Sequence, residues 1–356
     1  MNIQTPDDAS TFNALTRRPI SSSLVRERMK AGTPFSYSCP VSRGRLRVLC
    51  VLVLQLVGAA SLGMTATQYD LAFATYFGGA NFDSIRDVCV DSQGNIIAAG
   101  GTSSTNFPTT PGAYNRTYNA GYTSGTPGSI GSFGPMDAFV AKFDSGGRLL
   151  WSTYLGGRDY DRAYGVEVDP QGNIYVAGRA GEGFPVTAGA FHTKFVDYSG
   201  GNLGAYGKEN GFVAKFSSAG QLLWASYVGW ELCRDIAVDD QGDIYLPSGW
   251  NGVGPTLPAS WFTNGFQKTP KGGGADVCVL KIKSDGSQVL WGTWLCGTGN
   301  DKPASSIRVD AAKNVYWAGY TSSTDMSTAG NGRRTYLGGP NDFYLAKLSP
   351  DGSNLI

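Results

Sequence analysis

The sequence predicts an all-β fold, a β-propeller of four-stranded antiparallel blades with four repeats visible. Three observations predict it. A compound pattern, LLWSTYLGG, then VxVDxxGNIYVAG, then a long loop and DAFVAKFDxxG, recurs from Leu71 to Ile356. Self-similarity at one phase over such a period marks stacked or radially arranged units. Charged residues are only 16% of the 356-residue chain, and its 50 glycines are about twice ordinary usage, as many short strands joined by tight turns require. Net charge is +1, with lysines and arginines scattered through the repeats, so no electrostatic footprint for nucleic acid exists.

The segment before the repeats has a different character. Residues 1–66 carry Arg17, Arg18, Arg26, Arg28, Lys30, Arg43, Arg45 and Arg47, then an apolar run from Leu46 to Ala60 and a small-residue exit. A basic n-region, a short h-region and small residues describe an export signal, with cleavage expected after Ala60 or Ala66. The run is too short for a comfortable membrane span, so the mature chain is expected to have none. The n-region is long, and Met29 would open a more ordinary one. An uncleaved anchor is the alternative. Localisation is therefore expected to be extracellular or in the cell envelope.

Residues 67–356 form the repeat domain. Phe73, Trp151, Trp224 and Trp291 share one phase with Ile356 next in line, giving spacings of 78, 73, 67 and 65 residues and units of about 71–149, 150–222, 223–289 and 290–356. Each unit holds four short stretches rich in β-branched and aromatic residues and bounded by Gly, Asp, Asn or Ser. In the second unit these are Leu149–Leu155, Tyr164–Val168, Asn173–Ala177 and Gly211–Phe216. Four such strands are the content of one propeller blade. The turns DSQGN (91–95), DPQGN (169–173) and DDQGD (239–243) put glycine where a hairpin needs positive φ and an Asx residue where a side chain can bond the turn. The fourth copy has Lys313 at the glycine position, which predicts a strained or reshaped hairpin. Pro247 is expected to end the second strand of the third unit.

Six cysteines are present; Cys39 and Cys50 fall in the export segment. Cys89, Cys233, Cys278 and Cys296 occupy different phases of the repeat, and no CxxC pair exists, which argues against a repeated disulfide framework and against structural zinc. A single Cys233–Cys296 bridge is compatible with an exported protein.

The segments NFPTTPGAY (106–114), DAFVAKFDSGGRLLWSTYLGG (137–157), VDPQGNIYVAG (168–178) and NDFYLAKLSPDG (341–352) resemble the SBBP-type bacterial β-propeller repeat family. The likeness extends over the chain after the export segment and is weaker in the third and fourth units, where LPASWFTNGF replaces the first loop motif and the Phe-Pro is lost. The family name implies seven blades. Four units leave two options, a four-bladed ring closed when the Tyr69–Phe77 strand completes the last blade, or a fragment of a larger propeller. Ring closure is the expectation adopted.

Function is less legible. The long loops, about 101–136, 179–209, 247–274 and 320–340, are the non-repeating parts and would gather on one face, the binding side of many repeat proteins. Tyr118, Tyr122, Trp250 and Trp261 do not recur in the repeat and are the candidate ligand-binding residues, suited to stacking on sugar rings or a peptide. Trp151, Trp224 and Trp291 are assigned to structural docking between blades, a role that their resemblance to quinoprotein propellers also implies. A GGxxxD recurrence yields Asp83, Asp161 and Asp301, which either hold a cation, Ca²⁺ being the candidate, or accept backbone hydrogen bonds. No other cofactor is expected. His192 is the only histidine, so no multi-histidine centre can be built. The expected partner is a protein or glycan at the cell surface, bound by a recognition or scaffold module. The alternatives are a polysaccharide lyase or hydrolase using carboxylates or tyrosines, and a structural repeat segment of a larger surface protein.

Overall fold

The computed structural model describes residues 71–121, 135–197, 208–230, 233–252, 255–332, 335–336 and 338–356. Residues 1–66, expected from the sequence to be an export signal, and Tyr122 lie outside the described residues. Fifteen strands run through them, almost without helix, and fall into four antiparallel blades. Blade 1 is β1 (Asp83–Val90), β2 (Ile96–Thr102), β3 (Asp137–Phe143) and β4 (Leu149–Leu155), hydrogen-bonded in that order. Blade 2 repeats it with β5 (Arg162–Val168), β6 (Ile174–Ala180), β7 (Asn210–Phe216) and β8 (Leu222–Trp230). Blade 3 has β9 (Ala237–Val238), β10 (Ile244–Trp250), β11 (Asp276–Ile282) and β12 (Val289–Trp294), and a single pairing of Gly249 with Trp230 ties it to blade 2. Blade 4 consists of β13 (Asp301–Val309), β14 (Val315–Thr321) and β15 (Asp342–Leu348).

The tryptophan strand therefore completes one blade and contacts the next. Trp151 lies against Gly220, Trp224 against Gly286 and Trp291 against Gly352, each glycine sitting at positive φ in the turn between third and fourth strands of the following blade, or the matching turn after β15. A Cβ at these glycines would stand 2.7, 2.4 and 2.4 Å from the indole, so only glycine admits the ring. Each indole N–H also donates across the gap, to Ser218 O at 3.1 Å, Ser284 O at 3.2 Å and Pro350 O at 3.0 Å. Apolar clusters fill the space between consecutive blades, as Val140 and Leu155 with Val166 and Val176, and Val277 and Val279 with Ile307 and Trp317.

The ring does not close. Residues 71–79 form no strand, blade 4 has three strands and only a Leu348–Leu355 bridge beyond them, and Tyr76 is fully exposed. Phe73 lies against Gly147 and Phe77 packs on Phe107 and Phe143, with ring centroids 4.9 and 5.0 Å apart, so residues 71–77 take the place of a preceding blade's outer strand on blade 1, but no ladder joins them to β15. Pro247 does not end its strand either. β10 runs through it, paired continuously with β11, and the inner partner β9 shrinks instead to two residues, where the missing N–H costs least. All four described cysteines are free, so the Cys233–Cys296 bridge is absent; both thiols are buried in the apolar core of blade 3.

The fourth hairpin is strained and not reshaped. Lys313 takes φ 64°, the conformation of Gly94, Gly172 and Gly242, and keeps the same hydrogen bond to Asp310 O. Its ammonium reaches Asp239 at 3.3 Å and Asp240 at 3.0 Å in blade 3. A left-handed non-glycine residue costs about 1–2 kcal/mol, whereas an ion pair of this exposure returns about 0–1 kcal/mol. Lys313→Gly should therefore raise the urea midpoint slightly, by up to about 1 kcal/mol in stability; a fall of that size would mean that the lysine's reach to blade 3 dominates.

Candidate functional site

One blade departs from the others at a position that opens a cleft. The second residue after the DxxGN turn is Tyr175 in blade 2, Tyr245 in blade 3 and Tyr316 in blade 4, but Ile97 is its counterpart in blade 1. Each tyrosine donates its hydroxyl to the turn aspartate, at 2.9 Å to Asp169, 3.0 Å to Asp239 and 3.1 Å to Asp310. Each also lies beneath a lysine from the third strand, with Lys215, Lys281 and Lys347 at 4.8, 4.9 and 5.1 Å from the ring centroids. The Tyr175 hydroxyl fills the gap to blade 3, where a Cβ at Gly242 would meet it at 2.7 Å.

Blade 1 has no such hydroxyl. A Cβ at Gly172, the counterpart of Gly242, would find only Ser218 within reach, at 3.4 Å. The unfilled space is a cleft of about 400 Å³ between blades 1 and 2, lined by Asp91, Gln93, Asn95, Lys142, Trp151 and Gln171 among others. Lys142, lacking a ring to cover, turns to Asp91 at 2.8 Å, and both side chains are almost fully buried. Burial works against the ionised Asp91, but hydrogen bonds from Lys142 and Asn95 outweigh it and hold the carboxyl well below the ordinary range. The wall thus carries a balanced ion pair, three carboxamides and an indole edge. That combination offers donors and acceptors in fixed positions without net charge, and suits a neutral, hydroxyl-rich ligand. Sequence reasoning missed this cleft; the readable signal was one isoleucine in a column of tyrosines.

The long loops behave differently from expectation. The first three each leave the end of a second strand but then run back along the outer strand of their own blade: Thr110 N donates to Ser152 O, Thr187 N to Ala225 O, and Trp294 N to Gln267 O. The second and third finish on the turn of the next blade, where Phe191 N donates to Gly286 O and Phe266 N to Gly352 O. Leu257 takes the buried place of Phe107 and Phe184, so the divergent third loop keeps the same course. Phe262, in a single 3₁₀ turn Ala259–Phe262, stacks on Trp294 at 4.9 Å and fills the space that the smaller Cys278 leaves where other blades have Phe139 and Phe212.

The ligand candidates named from the sequence are engaged in this packing. Tyr118 donates its hydroxyl to Pro135 O at 2.6 Å and packs edge-on against Tyr154. Trp261 lies 5.6 Å from the Phe191 ring and 5.7 Å from His192, and Trp250, at the end of β10, packs on the blade 2–3 core. The structure does not bring the three together.

The GGxxxD aspartates tie loops to strands. Asp83 accepts from Gly79 N at 2.7 Å and Ser104 Oγ at 3.0 Å; Asp161 from Gly157 N at 2.6 Å and Gly181 N at 3.0 Å; Asp301 from Gly297 N at 2.8 Å and Ser323 Oγ at 2.9 Å. Among the described residues no group of three Asp, Glu, His or Cys side chains is placed to hold a metal ion. Asp161 has a buried carboxylate neighbour, Asp137. The two converge on Gly156, whose Cβ would lie 2.4 Å from Asp137 Oδ1 and 2.9 Å from Asp161 Oδ2. Burial pushes Asp137 up to about 7, against hydrogen bonds from Asn119 and Ala120, and burial followed by the charge of Asp137 raises Asp161 as well.

No curated protein matches the chain. Among solved structures, a protein of unknown function from Dyadobacter fermentans DSM 18053 aligns at 12% identity with a TM-score of 0.38, over 76% of this chain and 62% of that one. An apocarotenoid oxygenase of Synechocystis aligns at 12% identity and a TM-score of 0.33, over 75% of this chain and 47% of its own. The chain thus spans less than two thirds of either structure. The β-propeller repeat model SBBP matches residues 150–185, which run from the blade 1 tryptophan strand through the DPQGN hairpin to the Phe184-Pro185 loop, so this stretch carries the SBBP-type β-propeller repeat.

Proposed function

We propose that this chain is an exported recognition module whose ligand is a neutral glycan, bound in the cleft between blades 1 and 2. The observation that carries the reading is the single absence of the inter-blade tyrosine at Ile97, which leaves a polar cleft of about 400 Å³ beside Trp151. A cleft of this volume holds one or two sugar rings, and its paired Lys142 and Asp91 offer a donor and an acceptor already desolvated and held in place. The basic and apolar character of residues 1–66 supports placement outside the cytoplasm, where such ligands are found.

The test is a printed array of oligosaccharides probed with the purified chain and with Ile97→Tyr. The variant copies blades 2 to 4, so it should fold normally by circular dichroism while losing array binding by at least about tenfold, as filling a site does. An array without reproducible hits, or hits that survive Ile97→Tyr, would defeat the reading.

A further inference from the structure

The two outermost blades carry matching docking faces that the chain itself leaves open. In blades 1 to 3 the third strand presents a face to the next blade, and Ala138, Val140, Val213, Val277 and Val279 on it are completely buried. The same positions in blade 4 are Phe343, 96% exposed, and Leu345, 75% exposed. On the receiving side, Val166, Ile236 and Ile307 of blades 2, 3 and 4 are buried against the preceding blade, whereas their counterpart in blade 1, Val88, is 55% exposed. One chain therefore shows both halves of an inter-blade contact, unfilled.

Hydrogen bonding at the inner strands specifies which kind of blade each half accepts. Asp87 of blade 1 takes the Val88 amide with Oδ1 and the Val166 amide of blade 2 with Oδ2, both at 2.9 Å. Asp235 of blade 3 does the same with Ile236 and with Ile307 of blade 4, again at 2.9 Å. At the intervening contact the residue is Gly165, whose Cβ would lie 3.0 Å from the Asp235 backbone. The contacts alternate: aspartate to amide, close approach of a small residue, aspartate to amide. Blade 4 carries Ser306 at this position, again a small residue, so the next blade in the alternation is one that caps its own amide with an aspartate. Blade 1 is such a blade.

The edge strands match too. Residues 71–77 lie on blade 1 where a preceding blade's outer strand would lie, with Phe73 against Gly147 in the tryptophan place and Phe77 within the apolar cluster of Phe107, Phe139 and Phe143. Their outer edge carries no ladder, and neither does the free edge of β15 before its Leu348–Leu355 bridge. Ile356 already donates its N–H to Lys347 O at 2.8 Å, the place that Trp151 takes opposite Lys142, so only the part of β15 before Lys347 has a free edge. With the register of the other blades, where Ala138 faces Leu155, Phe343 there would face Phe77.

We propose that a second copy of this chain docks head to tail, its blade 1 with the attached 71–77 segment seating on blade 4 of the first. Two such contacts close a symmetric pair, since each copy offers one of each face. The apolar side chains Phe343, Leu345 and Val88 then become core, and β15 gains an outer strand by addition at its edge.

The experiment is light scattering coupled to size exclusion, on the purified full chain at about 50 μM, a concentration well above the dissociation constant of a stable interface. A dimer is expected. Leu345→Asp and Val88→Asp should each give a monomer with an unchanged circular dichroism spectrum, because both residues are exposed in a single copy. An equimolar mixture of the two variants should recover dimer, since it restores one intact contact. Leu223→Asp, on an exposed outer-strand position away from both faces, should leave the dimer intact. A wild-type monomer at this concentration, or a dimer that persists in Val88→Asp, would overturn the proposal. So would a monomer that Leu345→Asp destabilises thermally, which would mean that the ring closes within one chain.

Discussion

Trp224→Ala is expected to lower stability by about 3–5 kcal/mol, the range for removing a large aromatic from a packed site. The indole is buried between blades 2 and 3, its N–H donates to Ser284 O at 3.2 Å, and its ring covers Gly286. Truncation removes the apolar contact and one of the two donors to the Ser284 carbonyl, which keeps Lys215 Nζ at 3.2 Å. Gly286→Ala attacks the same contact from the other side: a Cβ there stands 2.4 Å from the ring, at φ 71°. Both variants should shift the urea midpoint of blades 2 and 3 together. Because the two changes remove one contact, the double variant should cost much less than their sum. Additive losses would show that the tryptophan does not act through this turn.

Asp137→Asn is expected to flatten the pH dependence of stability. Burial raises the Asp137 carboxyl from an ordinary value of 3.8 to about 7, and burial raises Asp276, its counterpart in blade 3, to about 6. A carboxyl raised in the folded state holds its proton where the unfolded chain has released it. Between about pH 4 and 7 the native protein therefore binds more protons than the unfolded one, and stability falls as pH rises through that window. Asparagine at 137 keeps an oxygen for the Asn119 N–H, now at 2.8 Å, and turns an amide donor toward Asp161. Blade 2 already uses asparagine at this position, Asn210, whose amide donates to Val196 O at 2.7 Å. The variant should match the parent near pH 4 and exceed it at pH 8 by up to about 4 kcal/mol, since each tenfold change in proton affinity is worth about 1.4 kcal/mol. Parallel stability curves across pH 4–8 would contradict the assignment.

The parts of the fold legible in the sequence are those that recur. The tryptophan of blades 1 to 3, the Asp-led turn and the lysine-bearing third strand each occupy one structural place wherever they recur, so their spacing gave strand order, turn type and the docking role of Trp151, Trp224 and Trp291. Ring closure was not legible, because it depends on how far three inter-blade contacts turn the chain. The inner-strand contacts themselves differ, with Asp87 and Asp235 bonding the next blade's amide where blade 2 has Gly165, and the shared pattern does not carry that difference. The loop course was hidden for another reason. The final aromatic of each loop, Tyr114, Phe191 and Phe266, was visible as a motif in two units only, and it meets the following blade through a backbone hydrogen bond at Phe191 and Phe266 and through the Phe216 ring at Tyr114. Pro247 misled because proline's cost falls on a hydrogen bond, and a strand can shed the partner on one side, here β9, and persist by its ladder on the other.

The candidate site followed the opposite logic. Repetition locates what the fold needs, and a single exception, Ile97 among Tyr175, Tyr245 and Tyr316, locates the opening. The aromatic residues singled out for lying outside the repeat, Tyr118, Trp250 and Trp261, lie within loop and blade packing.

Hydrogen exchange, measured with and without an oligosaccharide selected on the array, tests the central claim most directly, because it locates the ligand without altering the protein. Binding in the cleft predicts slowed exchange in the two turns that line it, at residues 92–95 and 171–173, with the loop segments 103–121 and 259–268 unchanged. Slowed exchange confined to the long loops, with both turns unaffected, would contradict the account.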